Sequence, residues 1–385
     1  MVWVNDIRIS RAPLLGFVAI GLVWAGISAQ IPDLKSQIGA NDANFGMVSL
    51  VASLGALAAM WVAPRFDKLF NAASLQACTA AMALALLLPG FAQSLWFFAL
   101  ALMMVSAGTG VADVLMNARI SEIESETRRP LMNLNHAIFS FSYAGAAVLT
   151  GFAREAGIGP VPIFAVICGI ILLMCVWMRA PHRLNAAETI RADAPVAQGI
   201  VWIGGLVVLA ALMAEQATEG WSALHLERTL GGSAAEGSFG PAVLGLTMGF
   251  GRLFGHALVT RVRDTVMISA ACLISAAGLG LAALAPGIPL AYVGFGIMGL
   301  GISVVMPLAL ALVGRMVRPA ERVQALSRAS LIGYGAYFVG PAMIGIASEA
   351  VSLPFAFLIV SVMLALVAVF LVPLLARRVA GAGQL

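Results

Sequence analysis

Long apolar runs recur along the chain, and short polar stretches separate one run from the next. A helix needs about 20 apolar residues to cross the hydrocarbon core of a bilayer, so each run predicts one transmembrane helix. Six runs precede the polar stretch at residues 179–198, and six follow it. The predicted spans are residues 12–32, 44–63, 72–91, 95–117, 132–153, 160–178, 199–221, 239–260, 266–285, 289–313, 326–348 and 354–376.

Composition agrees with this pattern. The chain of 385 residues is 61% hydrophobic and 10% charged, with a mean hydropathy of +0.98, whereas soluble domains average about 25% charged residues. The predicted fold class is an all-α membrane protein with twelve transmembrane helices in two six-helix halves. We place the N-terminal half at residues 1–178, a cytoplasmic linker at 179–198 and the C-terminal half at 199–385. The first run is too long for the apolar part of a secretory signal, so it is the first span.

The Lys and Arg residues predict the orientation of the chain. With a cytoplasmic amino terminus, eighteen of the twenty-two Lys and Arg fall in cytoplasmic segments, which follows the positive-inside rule. The predicted outer loops hold Lys35, Arg154 and Arg228, and Arg252 lies inside a span. Both termini are therefore predicted to be cytoplasmic, in a multi-pass protein of a bacterial inner membrane.

The two halves share short sequence matches. Phe45 and Gly46 open the second span, and Phe239 and Gly240 recur 194 residues later at the eighth. Two further sequence matches have similar offsets. Gly108-x-Gly110 recurs as Gly299-x-Gly301, and Ser142–Gly145 recurs more loosely as Tyr337–Gly340. Offsets near half the chain length predict a repeat of two six-helix units related along the membrane normal.

These features resemble the major facilitator superfamily over nearly the whole chain. A closer resemblance, to its YbjJ-like branch related to the fucose permease group, is carried by Asp113, Asn117, Arg129, Pro130, His136, Glu219, Gly220 and Trp221. The chain departs from the family at residues 63–68, where the glycines of the usual loop pattern are missing, and residues 145–151 lack the proline that drug antiporters carry. The missing proline disfavours multidrug efflux.

The resemblance implies secondary active transport by alternating access through one central cavity. We expect proton symport of a small polar organic nutrient, with a riboflavin-type vitamin or a sugar as the first candidates. The alternative is proton-antiport efflux of drugs or metabolites. The expected partners are the small-molecule substrate, protons and the lipid bilayer, with no nucleic acid and a monomeric chain.

Other function classes find little support in the sequence. No nucleotide-binding loop, Ser-His-Asp arrangement or metal-ligand spacing occurs, so we expect neither an enzyme nor a cofactor or metal. The cysteines lie inside apolar runs as small hydrophobic residues, and they are Cys78, Cys168, Cys175 and Cys272. The repeat of two halves and the lack of rings of charge disfavour a channel.

Polar residues inside the spans are the candidates for the substrate and proton pathway. An ionisable group inside a bilayer is costly and normally faces a water-filled pathway or a partner. Asp113 and Asn117 are four residues apart and share a helix face, and His136 begins the next helix. Two roles stay open for Asp113: contact with protons or substrate, or a gate that pairs with Arg119 or Arg328. His136 is either a proton carrier or a hydrogen-bonded packing residue.

The seventh and eighth spans carry the other ionisable candidates. Glu215 and Glu219 share a helix face, and a carboxyl group kept from bulk water can carry a proton at neutral pH. The alternative is that both reach the outer surface, because the predicted span ends soon after Glu219. Arg252 lies near the middle of its span, with His256 four residues on. It pairs either with Glu215 or Glu219 or with the substrate.

Aromatic residues near these positions suit a wall for a ring or a sugar face, although ordinary helix packing competes with that role. The candidates are Trp24, Phe139, Tyr143, Trp221, Tyr334 and Tyr337.

Overall fold

The computed structural model describes residues 2–179, 198–259, 262–318 and 321–382, and for 2–4, 60, 254–259, 323 and 379–382 it describes the backbone alone. The described residues form helices joined by short turns, with no strand among them. The predicted linker at 179–198 lies almost entirely outside the described residues, as do Arg183, Arg191 and Arg261.

Six helical passes precede the linker and are called the first set. In chain order they are α1 Arg11–Ala29, α2 Asp42–Phe70, α3 Ser74–Ala85 continued by Leu87–Gly90, α4 Leu95–Thr127, α5 Met132–Glu155 and α6 Pro160–Cys175. Short helices at Val2–Ile9 and Ile31–Gln37 flank α1, and the turn Asn71–Ala73 joins α2 to α3.

Six further passes follow the linker and are called the second set. In chain order they are α7 Gln198–Leu224 continued by the π-helix His225–Thr229, α8 Ala234–Val259, α9 Asp264–Ala283, α10 Ile288–Ile302 continued by Val305–Arg315, α11 Arg322–Tyr334 continued by Ala336–Ala350, and α12 Leu353–Leu366 continued by the π-helix Val367–Leu371 and by Val372–Ala382.

Local sequence explains where several helices begin and end. The Asn41, Ser94 and Ser352 side chains accept hydrogen bonds from backbone N–H groups three residues later, which caps α2, α4 and α12. A capping side chain satisfies one of the donors that the first turn of a helix leaves unpaired. At the other end of α4, Arg128 adopts a left-handed conformation with φ 54°, which stops the helix before the next pass.

The passes alternate in direction, so the bundle has two ends. We call the end that holds the turns after α1, α3, α5, α7, α9 and α11 the Arg154 end, and the opposite one the Arg119 end. Among the described residues, every pass except α1 exposes large apolar side chains on the outer surface of the bundle, and examples are Trp61, Trp96, Leu149, Val166 and Phe370. An apolar exterior of this kind matches a lipid environment, where there is no water to satisfy polar groups.

The two sets meet mainly along two pairs of helices, α5 with α8 and α2 with α11. Glycine permits close approach in both places. A Cβ atom on Gly46 of α2 would collide with the Pro341 carbonyl oxygen of α11, and one on Gly151 of α5 would collide with Ser238 of α8. Any larger side chain would push the helices apart.

The structure agrees with the predicted fold class and corrects several predicted boundaries. Among the described residues, ten segments are long and apolar enough to span a membrane, and with the shorter apolar α6 and with α8 they are consistent with twelve passes. The α4 helix runs to Thr127 rather than to residue 117, and residues 63–68 continue α2 rather than forming a loop. The α7 pass extends to Thr229, so the prediction that Glu219 lies near the end of its span is wrong.

Candidate functional site

An arginine and a glutamate lie opposite each other inside the second set. Arg252 Nη2 of α8 is 3.7 Å from Glu215 Oε1 of α7, and 18% and 19% of their side-chain surfaces are accessible. Because both residues are well inside their helices, this accessibility requires an open space beside them. The pairing agrees with one of the two roles predicted for Arg252, and its partner is Glu215.

The same arginine also reaches the first set. Arg252 Nη1 donates a hydrogen bond of 2.7 Å to Ser140 Oγ of α5, and the Ser140 hydroxyl donates to the His136 carbonyl oxygen at 3.1 Å. The sequence analysis did not single out Ser140. Arg252 is therefore held between a carboxylate of its own set and a hydroxyl of the other.

Glu219 lies one turn beyond Glu215 on α7. The Gln216 side chain donates a hydrogen bond of 3.0 Å to Glu219 Oε2, and the charge of Arg252 acts on both glutamates. The single positive charge of Arg252 therefore interacts with two carboxyl groups. A proton on one of the glutamates would balance the charge of this group of three.

Asp113 and Asn117 form a separate polar pair on α4. The Asn117 amide donates to Asp113 Oδ1 at 3.0 Å and to the Asp113 carbonyl oxygen at 2.8 Å. Among the described residues no cation lies within ion-pairing distance of Asp113, while the charge of Asp113 acts on Tyr334 and Tyr337 of α11. The predicted gate partner Arg119 bonds instead to Asp67 at 2.7 Å, and Arg328 is exposed.

His136 and the aromatic candidates occupy different surroundings. The His136 ring packs edge-on against Phe17 of α1, with centroids 4.7 Å apart. Trp24 and Phe139 pack around the buried Tyr143 at the contact of α1, α5 and α8. These contacts fit packing residues at the seam between the sets.

The aromatic candidates of the second set differ in how deeply they are buried. Trp221 is only 2% exposed and meets Phe45 of α2 edge-on, with centroids 5.6 Å apart, so it packs between the sets rather than lining an open space. Tyr334 and Tyr337 are half-buried, and the centroids of their rings are 5.9 Å apart. The His256 side chain lies outside the described residues.

A fully enclosed arginine joins the two sets at the Arg154 end. The Arg154 side chain of α5 is 1% exposed. Its guanidinium donates to both Asp33 carboxylate oxygens at 2.8 and 2.9 Å and to both Glu227 oxygens at 2.7 and 3.1 Å. It also donates to the Ala29 carbonyl oxygen at 2.7 Å. Asp33 belongs to the first set and Glu227 to the second, so this fork ties them together.

A second cluster at the same end is centred on Asp42, the first residue of α2. Arg228 of the second set donates to its two carboxylate oxygens at 2.7 and 2.6 Å. Lys35 pairs with it at 2.7 Å, and the Ser348 hydroxyl of α11 donates to it. Consecutive residues of the α7 π-helix, Glu227 and Arg228, therefore serve two different clusters, and π-helical turns are frequent at functional sites.

The ion pairs found at the Arg119 end among the described residues differ, because they join two residues of the same set. Arg119 with Asp67 and Arg129 with Asp6 lie in the first set. The second set holds the pairs Arg315 with Asp264 and Arg318 with Glu321.

The sequence contained a sign of the clusters at the Arg154 end, namely the few cations in the predicted outer loops, but it did not show which carboxylates they bind. The three cations of the predicted outer loops were Lys35, Arg154 and Arg228, and all three take part in these clusters. Cations that break the positive-inside pattern need a local reason, and here the reason is a carboxylate partner.

Comparison with known families gives a match to most of the chain. A family model described as Major Facilitator Superfamily matches residues 14–274 and 204–384. An uncharacterized MFS-type transporter of Yersinia pestis is 28% identical, with 92% of this chain and 92% of the relative covered.

Solved structures with a similar fold are transporters. A bacterial homolog to the human lysosomal transporter Spinster, in an inward-facing and occupied conformation, has a TM-score of 0.74 at 15% identity, with 96% of each chain covered. A D-xylose-proton symporter has a TM-score of 0.74 at 19% identity, with 96% of this chain and 97% of the symporter covered. At these identities the likeness establishes the fold alone.

Proposed function

Because the chain belongs to the major facilitator superfamily, we propose that this transporter takes up a small polar organic nutrient together with protons across a bacterial inner membrane. The observation that carries the proposal is the group of Glu215, Glu219 and Arg252, which adjoins an accessible space and bonds to both sets of helices. The chain acts as a monomer, with the two sets as the halves that rock against each other.

Alternating access is supported by the difference between the ends of the bundle. Ion pairs tie the two sets together at the Arg154 end, whereas the ion pairs that the described part of the chain forms at the Arg119 end stay within one set. The excess of Lys and Arg in the other turns favours placing the Arg154 end outside and both termini in the cytoplasm. The described conformation is then closed to the outside and opens inward.

Proton coupling is supported by the charges inside the bundle. Asp113, Glu215 and Glu219 lie inside the bundle, and among the described residues the charge of Arg252 acts on two of them, Glu215 and Glu219. Surplus carboxylates in a low-dielectric interior are costly, so protons or a substrate must compensate for them. A carboxyl group that binds its proton differently in the two conformations links a proton gradient to the rocking movement.

The proposed substrate class is supported by the resemblance to the YbjJ-like, fucose permease-related branch, and the polar and aromatic side chains inside the bundle are compatible with it. Carboxylates, the Asn117 amide and two tyrosines offer hydrogen bonds and ring faces. A riboflavin-type vitamin or a sugar suits this mixture, since a polyol takes up the polar groups and a ring or sugar face packs on the aromatic side chains.

The test is uptake of radiolabelled riboflavin and of a sugar panel into liposomes that contain the purified protein. We expect accumulation only with an inward proton gradient, and its collapse with a protonophore. Glu215→Gln should lose concentrative uptake and retain counterflow exchange, while Glu126→Gln, at an exposed position of α4, should behave like the wild type. Uptake that depends on sodium and ignores the protonophore would overturn proton coupling, and proton-driven export would favour the efflux alternative.

Asp113 gives a second test of the same proposal. Asp113→Asn keeps the side-chain shape and removes the charge, so we expect loss or uncoupling of transport with normal expression and thermal stability. Unchanged uptake with an unchanged pH profile would exclude Asp113 as a coupling site or charged gate.

A further inference from the structure

We propose that Ser140 is the positioning residue through which the first set of helices controls the Arg252–Glu215 pair. The inference rests on the proposed proton coupling and names the contact that makes that coupling depend on conformation. Ser140 touches neither the proton nor the substrate. Its hydroxyl acts by deciding where the Arg252 guanidinium lies.

The Ser140 hydroxyl oxygen is placed to accept a hydrogen bond from a cationic side chain. It is almost fully buried, and its proton is committed to the His136 carbonyl oxygen, 3.1 Å away in its own helix. The lone pairs of the oxygen are left for a donor. Arg252 Nη1 fills that role at 2.7 Å, a normal distance for a charge-assisted hydrogen bond.

The bond to Ser140 competes with the bond to Glu215. Hydrogen bonds between nitrogen and oxygen lie at about 2.7 to 3.2 Å, and the Arg252–Glu215 separation of 3.7 Å is longer than that. In the described conformation the guanidinium thus bonds fully to the other set and only loosely to the carboxylate of its own set. A loosely paired carboxylate is easier to protonate.

A shift of α5 against α8 would reverse the balance. The contact is tight here, because a Cβ atom on Gly245 of α8 would lie 3.0 Å from the Ser140 carbonyl oxygen. When the sets rock and α5 shifts against α8, Ser140 leaves the Arg252 guanidinium and Arg252 keeps Glu215 as its partner in α7. Proton binding to Glu215 therefore favours the described conformation, and proton release favours the other.

The remaining ionisable groups around the pair belong to several elements. Glu219 lies on α7, His136 and Tyr143 on α5, and Tyr337 on α11, and each exchanges electrostatic interactions with Glu215, Glu219 or Arg252. None of them donates to or accepts from Arg252 among the described residues. Ser140 is the partner whose contact crosses between the sets.

The experiment measures the conformational equilibrium against pH without any substrate. Spin labels at Ser125→Cys and Val262→Cys, both exposed at the Arg119 end, report the separation of the sets by pulsed electron resonance in lipid nanodiscs. The four native cysteines are buried and are replaced by alanine. The variants are Ser140→Ala, Ser140→Thr, which restores a hydroxyl, and Ser142→Ala. Ser142 is the matched control because its hydroxyl donates to Ile138 O of the same helix.

We expect the ratio of the two conformations in the wild type and in Ser142→Ala to change about tenfold between pH 5 and pH 8, with acid favouring the described one. In Ser140→Ala the change should fall to about twofold or less, because Arg252 then pairs with Glu215 in both conformations. Ser140→Thr should recover most of the pH dependence. A role in packing alone would change thermal stability without flattening the pH profile.

Two results would overturn the inference, and they are distinguishable. If Ser140→Ala keeps the pH dependence of the wild type, Ser140 does not control the pair, while proton coupling stands. If the wild type shows no pH dependence and its liposomes accumulate no substrate on a proton gradient, the proposed function fails and this inference fails with it.

Discussion

The two ends of the bundle use the same side-chain chemistry for opposite purposes. At the Arg154 end, the arginine forks bind carboxylates of both sets of helices, so the bonds from Arg154 to Glu227 and from Arg228 to Asp42 break when the sets separate. At the Arg119 end, the ion pairs found among the described residues join an arginine to a carboxylate of its own set, so these bonds survive any movement of the sets as rigid bodies. The ion pairs at the Arg154 end hold the two sets of helices together, and those at the Arg119 end stabilise each set separately.

The difference teaches that the role of a buried ion pair depends on which set of helices each of its two residues belongs to. Arg154 and Arg119 are both buried arginines, and the sequence marks Arg154 as a cation of a predicted outer loop without showing which carboxylates it binds. The partner decides the role. Variants at the two ends should therefore separate effects on conformation from effects on stability.

The largest effect is expected for Arg154→Ala. Removing the arginine leaves the partly buried Glu227 without its cation, and breaking a buried pair in this way costs about 3 to 5 kcal/mol of unfolding free energy. The Arg154 end should also open, so that Ala235→Cys, buried against α5, becomes reactive toward a thiol reagent. The control is Arg65→Ala, whose exposed side chain donates to Trp61 O of its own helix. Unchanged reactivity would show that Arg154 does not fasten this end.

Arg119→Ala should cost nearly as much stability but leave the conformation alone. Its pair with Asp67 is also enclosed, with side-chain exposures of 7% and 10%, so a loss of about 3 kcal/mol is expected. Because the bond lies within the first set, Ala235→Cys should remain as unreactive as in the parent protein. An increase in its reactivity would contradict the division between the two ends.

Asp42→Asn should have an intermediate effect. The change weakens the fork from Arg228 and the pair with Lys35, and hydrogen bonds to charged groups contribute about 1.5 to 3 kcal/mol. The exposure of Arg228 to solvent reduces this figure, so we expect about 1 to 2 kcal/mol together with partial reactivity of Ala235→Cys. A loss as large as that of Arg154→Ala would mean that the Asp42 cluster, rather than Arg154, carries the closure.

The smallest effect is expected for Arg315→Ala at the Arg119 end. Its pair with Asp264 is 54% exposed on the arginine side, and exposed pairs contribute about 0 to 1 kcal/mol. Thermal unfolding should shift little, and the spin-label distances should match the parent. A marked change in either would indicate that this pair takes part in the movement of the sets.

The sequence by itself determined the fold class and the polar residues inside the spans. Insertion of a helix into a bilayer depends on the composition of that segment alone, so the apolar runs located the passes without knowledge of their neighbours. The same argument singled out Asp113, Glu215, Glu219 and Arg252, because an ionisable group inside an apolar run is costly wherever the run packs.

Only the tertiary structure decided which partners these residues have. Arg154 and Asp33 are separated by 121 residues, Arg228 and Asp42 by 186, and Arg252 and Ser140 by 112. Pairing over such separations depends on how whole helices dock, and the chain length between two residues carries no record of that. The sequence showed that Arg252 needed a partner, and the packing of α5 against α8 decided that Ser140 shares it with Glu215.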